Sequence, residues 1–361
     1  MRLSRFDYLM LLLNIVAGMA LIAAQKAPYV PPTQAWYLAI FGLAYPFIFL
    51  ANCIFSLYWL FRKRVLLIMS LLFLFSTYGS LGKVFTFQPP AVFSTEQASI
   101  KVLTYNVQSF DVYQEYPVED ETTEIIQLIK REDPDIVILQ EFYSHSEKFP
   151  NIDRFKRELG FKWHHFESTF NHKNTVLFGL ATFSKFPLSE GERIDLKGTT
   201  SNLISNCVVE IQNKKYALFN VHLQSFKLGA DDYRFIEEIT DKGPDIESSK
   251  SLLRKLRNGY QKREKQVLAL DAAIGASPYP VIVAGDFNDT PMSFVYETIS
   301  DDLLDSFRET GFGVGGTYSG PLPSLRIDYI FSDSSLQVLT HKVIHEKYSD
   351  HYPVCSELIL P

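Results

Sequence analysis

Five apolar runs in this 361-residue chain finish at or near a side chain able to bind a metal ion or take up a proton. "IKVLTYNVQ" (100–108) reaches Asn106, "DIVILQE" (135–141) reaches Glu141, and "NVHLQS" carries His222. "VIVAGDFNDTP" (281–291) ends on Asp286 and Asn288, and "RIDYIF" holds Asp328. One such ending means little, because Asp, Asn, Gly and Pro are also what turns prefer. Five of them on β-rich runs point to a site at one end of a sheet. Oxygen-rich side chains beside an imidazole suit a hard cation or a proton transfer.

The elements that would carry these residues alternate. "ETTEIIQLIKRE" (121–132) has Ile125, Ile126, Leu128 and Ile129 on one side and predicts a helix closed by Pro134. Further strands are predicted at 175–184, 203–212, 215–222, 280–285, 326–332 and 352–360, and a long polar insert at about 226–264 reads as helical. Short strands with interspersed helices argue for a mixed, layered α/β domain.

The front of the chain is different. Residues 8–25, 36–61 and 65–82 carry no charge and predict three membrane spans, each near the ~20 apolar residues a bilayer needs. Trp36 and Tyr37 at one end of the second span, and Tyr58 and Trp59 at the other, read as interfacial aromatics. Arg2 and Arg5 precede the first span and Arg62, Lys63 and Arg64 separate the last two. The positive-inside rule then puts these ends in the cytoplasm and everything after about residue 90 on the far side. Read as a signal peptide instead, the first span would be lost without changing that orientation. Residues 86–98 read as a linker. The expected organisation is an anchor (1–85), that linker, and an outer domain (99–361).

Charge follows the same division. Residues 94–361 hold 28 of the 35 Lys and Arg and 40 of the 41 carboxylates, a net charge of −12. That is a poor counterion for nucleic acid. The one basic stretch, "LLRKLRNGYQKREK", carries Arg254, Lys255, Arg257, Lys262, Arg263 and Lys265 and reads as a solvated helix face ahead of a phosphate contact. Cys53, Cys207 and Cys355 have no metal-ligand spacing and read as small buried thiols, with a Cys207–Cys355 disulfide the lesser reading.

Taken in order, "TYNVQ", "ILQE", "FNVHLQS", "VAGDFND", "RIDYIF" and "SDHYPV" resemble the segments of the endonuclease/exonuclease/phosphatase superfamily, which includes DNase I-like nucleases, inositol-polyphosphate phosphatases and neutral sphingomyelinases. "GLATFSKFPL" and "GGTYSG" are similar to family segments too, so the resemblance covers 100–361. It implies a four-layered α/β sandwich, here preceded by three transmembrane helices, and hydrolysis of phosphate esters with Mg²⁺ or Mn²⁺. It implies Glu141 as the principal metal carboxylate, supported by Asn106, with Asp350 contributing through water. Asp286 would orient or deprotonate the attacking water, and Asn288 would hold a phosphate oxygen or that Asp. His351 would stabilise charge on phosphorus with Asp328 fixing its tautomer. His222 would bond a non-bridging oxygen, supported by Asn220. The other six histidines match no motif.

The expected reaction is in-line attack of activated water on a phosphodiester, nuclease-like, by an integral membrane protein of a bacterial-type inner membrane with its catalytic domain outside the cytoplasm. A phospholipid, sphingolipid or inositol phosphate is the alternative substrate. A non-catalytic binding protein on the same scaffold is the third reading, and it would be expected to have lost a site position. The expected partners are a phosphate-ester substrate, nucleic acid or lipid head group, and the bilayer. No protein partner, oligomeric state or role for the insert can be inferred.

Overall fold

The computed structural model describes residues 3–88, 98–111, 118–172, 175–194, 196, 202–243, 245–320 and 325–361. Five helices come first: α1 (Arg5–Lys26), α2 (Pro32–Leu43), α3 (Tyr45–Arg62), α4 (Arg64–Phe75) and α5 (Tyr78–Val84). Ser4 opens α1 with a reciprocal cap, its hydroxyl accepting from the Asp7 N–H while the Asp7 carboxylate accepts from the Ser4 N–H. Helices α1 and α3 are long and apolar enough to cross a membrane, and α4 with α5 makes a third span if that pair, bent by 59°, counts as one. Their outer faces expose Leu12, Val16, Met19, Leu50, Ile54 and Leu72, while the polar groups turn inward. The Trp59 indole and the Ser70 hydroxyl both donate to Asn14 Oδ1, and Asn52 donates to the Ala17 carbonyl. Polar side chains tie apolar helices together in this way because hydrocarbon offers them no other partner.

The second span is not one helix. The predicted stretch 36–61 breaks at Ala44, because Pro46 starts a new helix at its first turn and cannot donate to the old one. The segment before the break, α2, packs between α1 and the outer-domain helix that carries Tyr260 and Glu264. Gly42 lets it lie directly on the outer domain: a Cβ there would sit 2.1 Å from the Met292 carbonyl oxygen.

Beyond α5, Thr86–Phe87 form β1, so the start of the expected linker is a strand; 89–97 lie outside the described residues. The outer domain then runs β2 (Ser99–Asn106), α6 (Val118–Glu132), β3 (Ile136–His145), α7 (Asn151–Leu159), β4 (Trp163–His172) and β5 (Val176–Ser184). Its second half runs β6 (Glu192–Arg193), β7 (Leu203–Ile211), β8 (Lys214–His222), α8 (Ala230–Lys242), α9 (Ile246–Gly275) and β9 (Val281–Asp286). It closes with α10 (Phe294–Ser300), β10 (Leu304–Asp305), α11 (Ser306–Thr310), β11 (Phe312–Gly313), β12 (Asp328–Ser332), β13 (Gln337–Val343) and β14 (Val354–Ile359). Strand β11 pairs with β1, joining the start of the linker to the outer domain.

Two six-stranded sheets result, in the orders β13-β14-β2-β3-β5-β4 and β10-β12-β9-β8-β7-β6. They face each other across Ile100, Val102, Ile138, Leu218, Ile282 and Ile330. Helices α6 and α7 cover the first sheet through Ile125, Ile129 and Phe155, and α9 and α10 cover the second through Val267, Leu270 and Val295. This is the four-layered α/β sandwich expected. Each sheet contains one parallel pair, β2 with β3 and β8 with β9, whose strands finish side by side at the same end. Strand β12 runs antiparallel to β9 and begins where β9 stops. Edge strand β13 and the 163–172 strand escaped the sequence reading, as did the short α7.

The insert supplies the seat for the anchor. One turn of α9 faces both ways. Glu264 accepts the Thr33 N–H at 2.6 Å and the Thr33 hydroxyl at 2.7 Å, capping the start of α2, and the Tyr260 hydroxyl donates to the Ala39 carbonyl. Its neighbour Arg263, counted above with the solvated basic face, is fully buried instead. It pairs with Asp289 at 2.9 Å and donates to the Gln224 carbonyl, with its guanidinium packed over the Phe226 and Tyr260 rings. A helical pattern alone does not reveal which charges a second element will cover. Lys83 at the end of α5 adds an ion pair to Glu297. Replacing Glu264 with Ala removes two bonds to a charged acceptor, each worth about 1.5–3 kcal/mol. Glu264→Ala is therefore expected to lower the unfolding midpoint of the detergent-solubilised protein and to speed proteolysis between α1 and α2, and an unchanged digestion pattern would refute the docking role.

Candidate functional site

A single rung of the second sheet carries three of the predicted groups. His222 at the end of β8 and Asp328 at the start of β12 are both register partners of Asp286 at the end of β9. Gly285 makes the rung possible. Its φ is +146°, and a Cβ there would lie 2.0 Å from the Val221 carbonyl oxygen on the adjacent strand. Past the strand, Asn288 takes φ +53° and folds back, its backbone N–H donating to Asp286 Oδ1 at 2.8 Å and its amide to Asp286 Oδ2 at 3.0 Å.

The first sheet contributes from the facing side. Glu141 sits at φ +51° in a register break of β3 between Leu139 and Phe142. Such a bulge re-aims one side chain out of the strand's alternation. Gln140 stays buried between the sheets, while Glu141 faces the cleft with 30 % of its side-chain surface open. Asn106, ending β2, donates to Asp286 Oδ2 at 3.0 Å and lies 3.5 Å from Glu141 Oε1, so it ties the two sheets together. After it the chain turns through four left-handed residues, Gln108 to Asp111. Gln108 accepts the Asp350 N–H, and the Ser349 hydroxyl donates to the Asn106 carbonyl and accepts the His351 N–H. That web fixes the 349–351 loop over the rung.

His351 Nδ1 lies 2.9 Å from Asp328 Oδ2, and its Nε2 faces the cleft 3.7 Å from Asp286 Oδ2 and 4.0 Å from Asp350 Oδ1. His222 Nε2 lies 3.6 Å from Glu141 and 3.7 Å from Asp286. All of the predicted positions but one therefore meet around one cleft of about 380 Å³ or at its floor. The exception is Asn220, which lies deeper between the sheets. It accepts from Gln140 and donates to the Leu139 and Ala181 carbonyls, so it secures sheet packing and makes no bond to His222.

The electrostatics separate the groups. Burial raises the pKa of Asp286, and the adjacent Asp328 adds to that, while the His351 charge opposes it. Burial raises Glu141 as well, and it lowers His222, favouring the neutral ring. Burial alone would also lower His351, but the carboxylates of Asp328 and Asp286 outweigh it and hold the imidazole well above its ordinary range. Ligand atoms of Asp286, Asp328 and His351 fall within 4.8 Å of one another. Among the described residues no Lys or Arg pairs with Glu141, Asp286, Asp328 or Asp350. Four carboxylates against two imidazoles, with an amide between them, form a donor set suited to a hard divalent cation.

Sequence reasoning missed part of the lining. Gln108 and Tyr318 lie inside quoted motifs, "TYNVQ" and "GGTYSG", without having been assigned; the Tyr318 ring meets His351 edge-on at 5.5 Å. The insert adds Phe226, Tyr233, Ile236, Leu252 and Leu256, and the anchor adds Leu43. No spacing rule assigns those apolar residues to the site.

Comparison with known proteins bears on the same region. A family described as the endonuclease/exonuclease/phosphatase family matches residues 103–351, and a domain of unknown function matches residues 7–84. No curated protein matches the chain. Solved structures match with low identity. An endonuclease/exonuclease/phosphatase from Beutenbergia cavernae is 20 % identical, with 73 % of this chain and 72 % of that one covered and a TM-score of 0.53. The human Nocturnin catalytic domain with bound sulfate is 18 % identical, with 76 % and 100 % covered and a TM-score of 0.53. A humanized D. rerio TDP2 is 17 % identical, with 72 % and 98 % covered and a TM-score of 0.52. These likenesses are of fold.

Because Asp328 is the nearest anion to His351, Asp328→Asn is expected to lower the imidazole pKa. NMR titration of the metal-free protein would show the His351 resonance moving toward the ordinary histidine range, and coincident titrations in both proteins would contradict the pairing.

Proposed function

The chain belongs to the endonuclease/exonuclease/phosphatase family, and from that premise we propose that it is a membrane-anchored, divalent-metal-dependent phosphodiesterase. The observation that carries this reading is the meeting of Asn106, Glu141, His222, Asp286 and His351, brought from both sheets, around one uncompensated acidic cleft. Phosphoester hydrolysis needs a hard cation, a group to take a proton from water and donors for charge on phosphorus. Each has a candidate.

Glu141 and Asn106 would hold the Mg²⁺ or Mn²⁺, with Asp350 contributing through water. When bound, the ion supplies Lewis-acid stabilisation of a phosphoryl oxygen. Asp286 takes the proton of the attacking water, its basicity raised by burial, while the backbone N–H and amide of Asn288 hold it in one orientation. His351 is cationic at neutral pH and points Nε2 into the cleft, where it meets charge on the phosphoryl oxygens or gives a proton to the leaving oxygen. Neutral His222 donates from Nε2 to a non-bridging oxygen. The loss of a site position expected of a non-catalytic scaffold does not occur, which favours the enzyme reading.

The helical bundle supports an orientation. Arg5, Arg62 and Arg64 gather at the end opposite the outer domain, where Arg62 pairs with Asp7. The positive-inside rule then puts the catalytic domain outside the cytoplasm.

Asp286→Asn is expected to cut turnover of bis-p-nitrophenyl phosphate by about 10²–10⁴-fold without moving the unfolding midpoint downward. His351→Ala is expected to lose roughly 10²–10³-fold. EDTA is expected to abolish turnover and excess Mg²⁺ or Mn²⁺ to restore it. Full activity in EDTA, or in either variant, would refute the mechanism.

A further inference from the structure

The cleft has two chemically different walls. Its floor is the polar set around Asp286. Opposite stand Phe226, Leu228, Ile236, Leu252 and Leu256 of the insert, closed by Leu43 of the anchor. Lys227 is the one Lys or Arg among the described residues lining it. A polynucleotide needs a track of cations, and inositol phosphates need several, so neither draws on this wall.

A second, smaller cavity of about 120 Å³ adjoins the cleft and shares Leu43, Thr290 and Leu325 with it. It is lined mainly by apolar groups and reaches Phe47 and Val314, which are 56 % and 51 % exposed. Phe47 lies in the first turn of α3, a helix long and apolar enough to cross a bilayer, one turn beyond the break that delivers Leu43 to the cleft. Phe87 and Phe312, paired edge-to-face on the short β1–β11 ribbon, are 70 % and 77 % exposed close by. Together the two cavities set a path of mainly apolar groups from Phe47 on α3, past the α2–α3 break, to Leu43 at the cleft, with Thr290 and Arg326 the polar members of the smaller lining. Exposed aromatic and aliphatic groups of this kind, continuous with transmembrane helices, belong in the interfacial layer of a bilayer.

We propose that this path is a hydrocarbon subsite and that the substrate is a phosphodiester lipid drawn sideways from the membrane in which the protein is anchored. The proposal rests on the phosphodiesterase reading above and names the substrate of that same site. The lipid phosphate lies over Asp286 and His351 while a hydrocarbon tail follows Leu256, Leu43 and Leu325 back to Phe47. Water's oxygen bonds to phosphorus, the P–O bond to one ester alcohol breaks, and the leaving oxygen takes up a proton. The insert, together with the docked α2, is thereby the specificity element of the enzyme.

The test uses the full chain in nanodiscs or mild detergent with Mg²⁺, assayed in parallel on vesicles of phosphatidylcholine and phosphatidylglycerol and on water-soluble bis-p-nitrophenyl phosphate. Phe47→Gln and Val314→Gln, which line the smaller cavity and not the catalytic cleft, are expected to slow lipid hydrolysis tenfold or more while leaving the soluble ester within twofold, which also shows that the variants are folded. On monomeric short-chain phosphatidylcholines, kcat/KM is expected to rise with chain length in the unmodified protein and to flatten in Phe47→Gln. Cleavage of the soluble ester without lipid hydrolysis, equal slowing of both substrates, no slowing in either variant, or faster cleavage of plasmid DNA or RNA than of lipid overturns the hydrocarbon subsite and leaves the phosphodiesterase standing. Failure of the unmodified protein on every substrate removes that reading, and this proposal with it.

Discussion

The Asp286 carboxylate is held by both sheets at once, and the site depends on that double grip. One oxygen takes the Asn288 backbone N–H; the other takes the amides of Asn106 and Asn288, across the sandwich and along its own loop. Burying an anion this deeply is expensive unless its lone pairs are satisfied. Here three N–H groups satisfy them, and among the described residues no Lys or Arg competes for them. The carboxylate is thus oriented by neutral donors, with the His351 imidazole 3.7 Å away. The facing hydrophobic layers set how far apart Asn106 and Asp286 stand, so core packing is transmitted directly into site geometry.

Strain collects at the same place. Glu141, Asn288 and the run Gln108–Asp111 adopt left-handed backbone conformations, and Gly285 adopts one open only to glycine. Residues with a side chain occupy such regions at a cost of about 1–3 kcal/mol each, and they persist only where surrounding structure over-determines them. The bulge at Glu141 breaks the alternation of β3 so that this residue turns into the cleft. A regular strand would have left that carboxylate facing the covering helices.

The anchor is more than a tether. Consecutive residues of α9 reach opposite partners, Arg263 the catalytic loop at Asp289 and Glu264 the start of α2 at Thr33. Arg326 repeats the arrangement on the other flank, pairing with Asp305 and donating to the Lys83 carbonyl at the end of α5. Buried ion pairs are geometrically demanding and lose several kcal/mol when one partner is removed, so they suit joints that must keep one orientation. The polar end of the sandwich is accordingly held in one orientation against the N-terminal helices.

Much of this was legible in the chain itself. Apolar β-rich runs carrying Asn106, Glu141, His222, Asp286 and Asp328 at or near one end point to a polar edge of a β-rich domain, because strand periodicity and turn chemistry are local properties. Apolar length likewise marks the helices that are long and apolar enough to cross a membrane. Local rules did not extend to the break at Ala44, since a proline in an apolar stretch is compatible with a kinked span until a docking surface decides otherwise. Nor did they foresee that Arg263 is buried, that Asn220 secures sheet packing, or that Leu43 lines the cleft. Those outcomes depend on which distant surfaces meet. A one-dimensional pattern states what each segment would bury, and only the packed chain states against what.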